Sequence, residues 1–134
     1  MTRRLELALT EPEKVARLLA EACESVDDAA YAFVASRDGL VVASATADTT
    51  PEDAVALRGS ALAAAAVGIG DHFAALSAHG RLQSTFFESD RGCVGIFPLS
   101  SAVLLVVGSG QSVNLGRLTA AAKRIIALLQ APKD

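Results

Sequence analysis

Residues Thr50–Gly80 read TPEDAVALRGSALAAAAVGIGDHFAALSAHG, and the rest of the chain has to be arranged around this stretch. Thr50 can cap a helix, Pro51 suits a first turn that needs no amide donor, and Glu52 and Asp53 suit the positive helix end. Gly80 supplies the left-handed stop. In between, Val55, Gly59, Leu62, Ala66, Ile69, Phe73 and Leu76 recur at alternating steps of four and three, one continuous apolar stripe. That stripe, which carries the bulkiest side chains, is expected to face the body of the domain.

The opposite side of the same helix is also apolar. At about 100° per residue, Leu57, Ser60, Ala64, Gly68, Asp71 and Ala75 fall within about a quarter-turn of each other. Arg58 is the only charged side chain between Asp53 and Asp71. A helix apolar all round is buried on both sides. Ser60, Ala64 and Gly68, at four-residue spacing, would let a second helix backbone come close. Either a partner's helix or another segment of the same chain covers this face. The expected interface comprises Leu57, Ser60, Ala61, Ala64, Gly68 and Asp71 on the helix, with Leu82, Ser84 and Phe86 from the following edge strand.

The flanking sequence supplies strands and two shorter helices. Thr10-Glu11-Pro12-Glu13 has the capping-box pattern ahead of Val15, Leu18, Leu19, Ala22 and Val26, which predicts a helix over 11–25. Residues 31–37 and 40–44 are β-type runs separated by Asp38-Gly39, a hairpin signal in which both turn residues take positive φ. Three more strands follow the long helix: Leu82–Glu88 as a polar edge, Cys93–Phe97, and Ala102–Val107, whose AVLLVV is apolar on both faces and therefore central. A last helix carries Leu115, Leu118, Ala122, Ile125 and Leu129 on one stripe, with Ser112 or Asn114 as its cap. Leu5, Leu7 and Leu9 alternate within an otherwise loose lead-in over 1–9, and a single domain is expected over 10–131.

The fold expected is α+β: a three-layer α/β/α sandwich in the order α-ββ-α-βββ-α. Its five-stranded antiparallel sheet carries the long helix on one face and the two terminal helices on the other. The 134 residues, 51% of them hydrophobic, suffice for one core that buries about two-thirds of the unfolded surface without staples. A net charge of −3 with no basic face argues against nucleic acid. Cys23 and Cys93 form no C-x-x-C motif, which fits a reducing compartment, and Glu6 and Glu11 interrupt any leader-like apolar run. The run 59–70 is too short to span a bilayer. A cytoplasmic protein without membrane insertion is expected.

With these features in place, the chain resembles the Roadblock/dynein light-chain family, its bacterial MglB-like members in particular. The likeness rests on the hairpin AYAFVASRDGLVVASA, the small-residue helix LRGSALAAAAVGIGD, the strands FFESDRGCVGIFPLSSAVLLVV and the last helix NLGRLTAAAKRIIALL. It covers about residues 10–130. The resemblance implies a homodimer or heterodimer in which the long helices pair and the third strands join edge to edge. It also implies a non-catalytic role, binding and regulating small Ras-like GTPases or scaffolding complexes, with no cofactor and no metal. The partners expected are a second copy of the chain and a Ras-like GTPase.

Few residues invite another chemistry. Gly108-Ser109-Gly110-Gln111-Ser112 follows a strand and opens a helix, the setting of phosphate-binding loops, but Val113 and Asn114 stand where such loops need glycine and lysine. A nucleotide- or metabolite-sensing or enzymatic domain using this loop is the alternative reading. His72 and His79 lie about 10 Å apart along a helix, too far to share a metal. No catalytic residue is assigned. Arg58 reads either as a side chain snorkelling at the rim of a packed face or as an anchor for an acidic partner surface, and His72 is grouped with it as partner-binding.

Overall fold

The computed structural model describes residues 11–46 and 50–130, and within them the expected element order holds: α1 Pro12–Ser25, β1 Tyr31–Ser36, β2 Val41–Thr46, α2 Thr50–Leu76, β3 Thr85–Ser89, β4 Gly92–Pro98, β5 Val103–Ser109 and α3 Leu115–Gln130. The strands form one antiparallel sheet in the order β2-β1-β5-β4-β3. β5, apolar from Val103 to Val107, is its central strand and is buried throughout. Side chains alternate across the sheet. Ala32, Val34, Leu105 and Val107 face α1 and α3, where Leu19, Leu118 and Ile125 are fully buried. Phe33, Ala35, Leu104 and Val106 face α2.

Several local details differ from the sequence reading. Thr10, the expected cap of α1, and the alternating leucines of the lead-in lie outside the described residues. The N-cap position of α1 falls on Glu11, whose side chain makes no capping bond and instead pairs with Lys14 at 3.0 Å. In the β1–β2 hairpin only Gly39 has positive φ, at +92°, so Asp38 does not adopt the left-handed conformation expected of it. The Gly39 N–H donates to Ser36 O (3.0 Å) and the Ser36 N–H to Leu40 O (2.8 Å), which makes a three-residue loop ending in a left-handed glycine.

Helix α2 ends four residues before Gly80. The His79 N–H donates to Ala74 O (2.9 Å) and the Ala78 N–H to Ala75 O (3.2 Å), a Schellman closure with Ala78 itself at φ +54°. β3 starts at Thr85, so Leu82 and Ser84 precede the strand. The cap of α3 is Asn114, whose Oδ1 accepts the Arg117 N–H at 2.8 Å.

Candidate interaction surface

Helix α2 presents to the sheet a flank about 100° round from the stripe expected to face it. Ala56, Ser60, Ala63 and Val67 are buried against β1, β5 and β4, whereas Leu62 is 71% exposed, Ile69 61%, Phe73 65% and Leu76 72%. The physical reason lies in volume. The strands already project Phe33, Leu104, Val106 and Ile96 towards this helix, so a close approach leaves room only for small side chains opposite them. A Cβ on Gly59 would stand 3.1 Å from the Phe33 ring, and one on Gly39 would stand 3.2 Å from the Ala61 Cα. Ser60, at 0% exposure, donates its hydroxyl to Ala56 O one turn back at 2.6 Å, so its burial leaves no unpaired group. The small residues serve helix-on-sheet packing, and the bulky ones are left outside.

The second feature is a half-covered sheet. On its other face two helices, α1 and α3, lie across the strands; on this face α2 alone lies mainly over β1 and β2 and only touches β3, β4 and β5. Five strands span about 24 Å and one helix is about 10 Å wide, so one helix cannot close the face. An apolar trough of about 500 Å³ is left between α2 and the β4–β3 side, with Tyr31, Gly59, Leu62, Ile69, Phe87 and Val94 among its walls. Beside it runs β3, an edge strand with unpaired backbone groups on its outer side among the described residues. An exposed apolar surface of this kind marks an interaction site.

The expected interface residues are therefore dispersed. Ser60 is inside the protomer and is unavailable to a partner. Ala64 is half-buried, Leu57 and Ala61 are exposed on a flank turned away from the trough, and a Cβ on Gly68 would meet nothing within 4 Å. Asp71 is engaged within the protomer by Arg37 Nη1 at 2.9 Å, and Arg37 Nε also donates to Ser100 O. Leu82 folds back over Gly70, where an added Cβ would sit 2.7 Å from it. Ser84 is half-buried. Phe86 points to the α1–α3 side and packs edge-on against Phe97, with ring centroids 5.6 Å apart; Phe87 is the aromatic of β3 turned to the trough. Arg58 and His72 are both exposed on the outward side of α2.

The residues that the sequence reading missed as surface are Val55, Leu62, Ile69, Phe73, Leu76 and Phe87. The bulk of the strand residues facing α2 was the available signal, because large side chains on a sheet require small ones on the helix above. By length and composition alone, Val55–Leu76 is long and apolar enough to cross a membrane, a longer run than 59–70. Its Ala56–Val67 side is nevertheless packed on a sheet, the arrangement of a helix within a folded domain.

The glycine-rich loop is not laid out as a phosphate cradle. Gly108 and Ser109 belong to β5, and the Tyr31 ring lies so close over Gly108 that an added Cβ would fall 2.0 Å from it. Cys93 is buried nearby, and its thiol is pushed above its ordinary value by burial and then by the charge of Glu88, the reverse of an activated nucleophile.

Comparison with known proteins places these features in context. The model of the Roadblock/LC7 domain matches residues 11–109. Among solved structures the chain is similar to MglB of Myxococcus xanthus (19% identity, TM-score 0.74, covering 89% of this chain and 86% of that one). It is also similar to a Roadblock/LC7 domain from Streptomyces avermitilis (20%, 0.71, 83% and 90%) and to the gliding protein MglB of Thermus thermophilus (23%, 0.71, 89% and 88%). No curated protein matches by sequence.

Proposed function

The chain belongs to the Roadblock/LC7 domain family, and from that premise we propose that it is a cytoplasmic, homodimeric, non-catalytic module that binds a small Ras-like GTPase and regulates or scaffolds it. The module occupies about residues 10–131, with 1–9 as a lead-in. One observation carries the dimeric part: the apolar trough beside α2, on a sheet face that one helix cannot close. Leu62, Ile69, Phe73 and Leu76 are each about two-thirds exposed, so covering one contributes about 1–2 kcal/mol. The eight in two copies contribute about 8–16 kcal/mol, the same order as the roughly 4–15 kcal/mol lost in association. The interface proposed is thus Val55, Leu62, Ile69, Phe73 and Leu76 with the β3 edge and Phe87, in place of the small-residue face.

The GTPase part rests on family membership and on the character of the outward side of α2. With Arg58 and His72 exposed there and no acidic side chain between Asp53 and Asp71, this side fits an acidic partner surface. The test is sedimentation of the purified chain at micromolar concentration, followed by titration with a Ras-like GTPase from the same organism while hydrolysis is measured. A dimer that binds the GTPase is expected. A monomer, or tight binding of free nucleotide by the isolated chain, would overturn the reading.

A further inference from the structure

At the other end of β5 from the glycine-rich loop, the β1–β2, α2–β3 and β4–β5 connections and helix α2 enclose a polar cavity of about 480 Å³. None of the residues that line it lines the apolar trough. We propose that this cavity binds the carboxylate of a small organic monoacid, held by Arg37 and Arg81. Its volume falls within the range of small-molecule sites, roughly 300–1,000 Å³.

Arg37 follows β1, and its backbone N–H donates to Ala102 O at 3.0 Å, so its side chain starts from a fixed point. Its Nη1 donates to Asp71 Oδ2 on α2 at 2.9 Å, and its Nε to Ser100 O in the β4–β5 turn at 3.3 Å. The remaining guanidinium N–H groups have no protein acceptor among the described residues. A guanidinium clamped in this way has little freedom left to lose when a ligand arrives. Arg81 comes from the connection after α2, which Leu82 anchors by folding over Gly70. It forms no salt bridge among the described residues. Ser100 Oγ accepts the N–H groups of Ala102 (3.1 Å) and Val103 (3.2 Å), which leaves its own hydroxyl hydrogen to donate.

The cavity is therefore rich in donors, and its charge selects the class of ligand. Two guanidiniums, Arg37 and Arg81, against the one carboxylate of Asp71 give the lining a net charge of +1. A monoanion brings the site to neutrality. A phosphate group, at about −1.5 to −2 near pH 7, would leave excess negative charge beside Asp71. A carboxylate also matches the planar fork of a guanidinium. Leu82, Pro98 and Leu99 add apolar wall, so an acid with a short hydrocarbon chain covers more of the cavity than acetate does.

The test is a titration of the isotope-labelled chain with acetate, butyrate, butyramide and inorganic phosphate, followed by NMR at backbone and arginine Nε–H signals. Butyrate is expected to shift Arg37 Nε and residues 80–83 and 98–101 saturably, and to bind about tenfold tighter than acetate for its two extra methylenes. Butyramide, which has the same shape without the charge, is expected to leave these signals in place. Arg81 is exposed, so Arg81→Gln should fold normally and bind butyrate about tenfold or more weakly. Arg37→Lys, which keeps the charge and loses the fork, should also weaken it. Absence of saturable shifts with butyrate, or shifts centred on Leu62, Ile69 and Phe87 of the trough, would overturn the proposal. So would phosphate binding more tightly than butyrate, or butyrate binding unchanged in Arg81→Gln. The dimeric and GTPase readings stand or fall separately, since sedimentation and GTPase titration read neither arginine cavity nor acid.

Discussion

Ala78 is the one non-glycine residue with positive φ among those described, at the left-handed position that closes α2. A Cβ costs roughly 1–2 kcal/mol in that region. Ala78→Gly should therefore raise stability by about 1 kcal/mol, read as a higher urea midpoint at unchanged slope. Gly92 presents the opposite case. A Cβ there would lie 2.6 Å from Ser109 O, a backbone atom that cannot move without disturbing the β4–β5 ladder. Gly92→Ala is expected to cost about 1–3 kcal/mol in the same assay.

For helix α2, the two faces predict different outcomes for substitutions that look alike in sequence. Gly68 lies on the small-residue side, yet nothing stands within 4 Å of the Cβ it would gain. Gly68→Ala should therefore stabilise the helix by roughly 1 kcal/mol and leave association unchanged, as thermal melts and sedimentation would show. A loss of dimer from this variant would return the interface to the small-residue face. Leu62 stands 71% exposed in the protomer, so Leu62→Asp should leave helical content intact by circular dichroism. Buried in the dimer, the same carboxylate would face apolar side chains from both copies, and a folded monomer is the expected product.

At the scale of the whole molecule, three ionisable groups, the buried Cys93 and the half-buried Cys23 and Tyr31, point in one direction. Burial raises the Cys23 thiol above its ordinary 9.0; it raises Cys93 likewise, with the Glu88 charge adding to it, and it raises Tyr31 above 10.0, with Cys93 adding to it. Each group is held neutral in the fold and ionises more easily in the unfolded chain. The unfolded state thus releases protons first as pH rises past 9, and stability falls with pH from there upward. Below that value these three groups contribute no slope. Urea midpoints measured between pH 8 and 10.5 should be level at first and then decline, and a rise above pH 9 would contradict the burial of these groups.

The order of elements, the centrality of AVLLVV, the division of one long and two terminal helices between the sheet faces, and the edge position of β3 were all legible in the chain. Each rests on local patterning: strand alternation, helical period, turn residues and the unbroken apolar run AVLLVV of β5. The patterning of α2 itself could not choose which side meets the sheet, because a helix apolar all round has no polar face to exclude; the one signal was the bulk of the strand residues opposite it. Tertiary structure made that choice through volume. Phe33, Leu104, Val106 and Ile96 occupy the space above the strands, and Ala56, Ser60, Ala63, Ala66 and Val67 fit between them and the α2 backbone. Leu62, Ile69, Phe73 and Leu76 are left outside for the same reason, since close packing at the sheet excludes them.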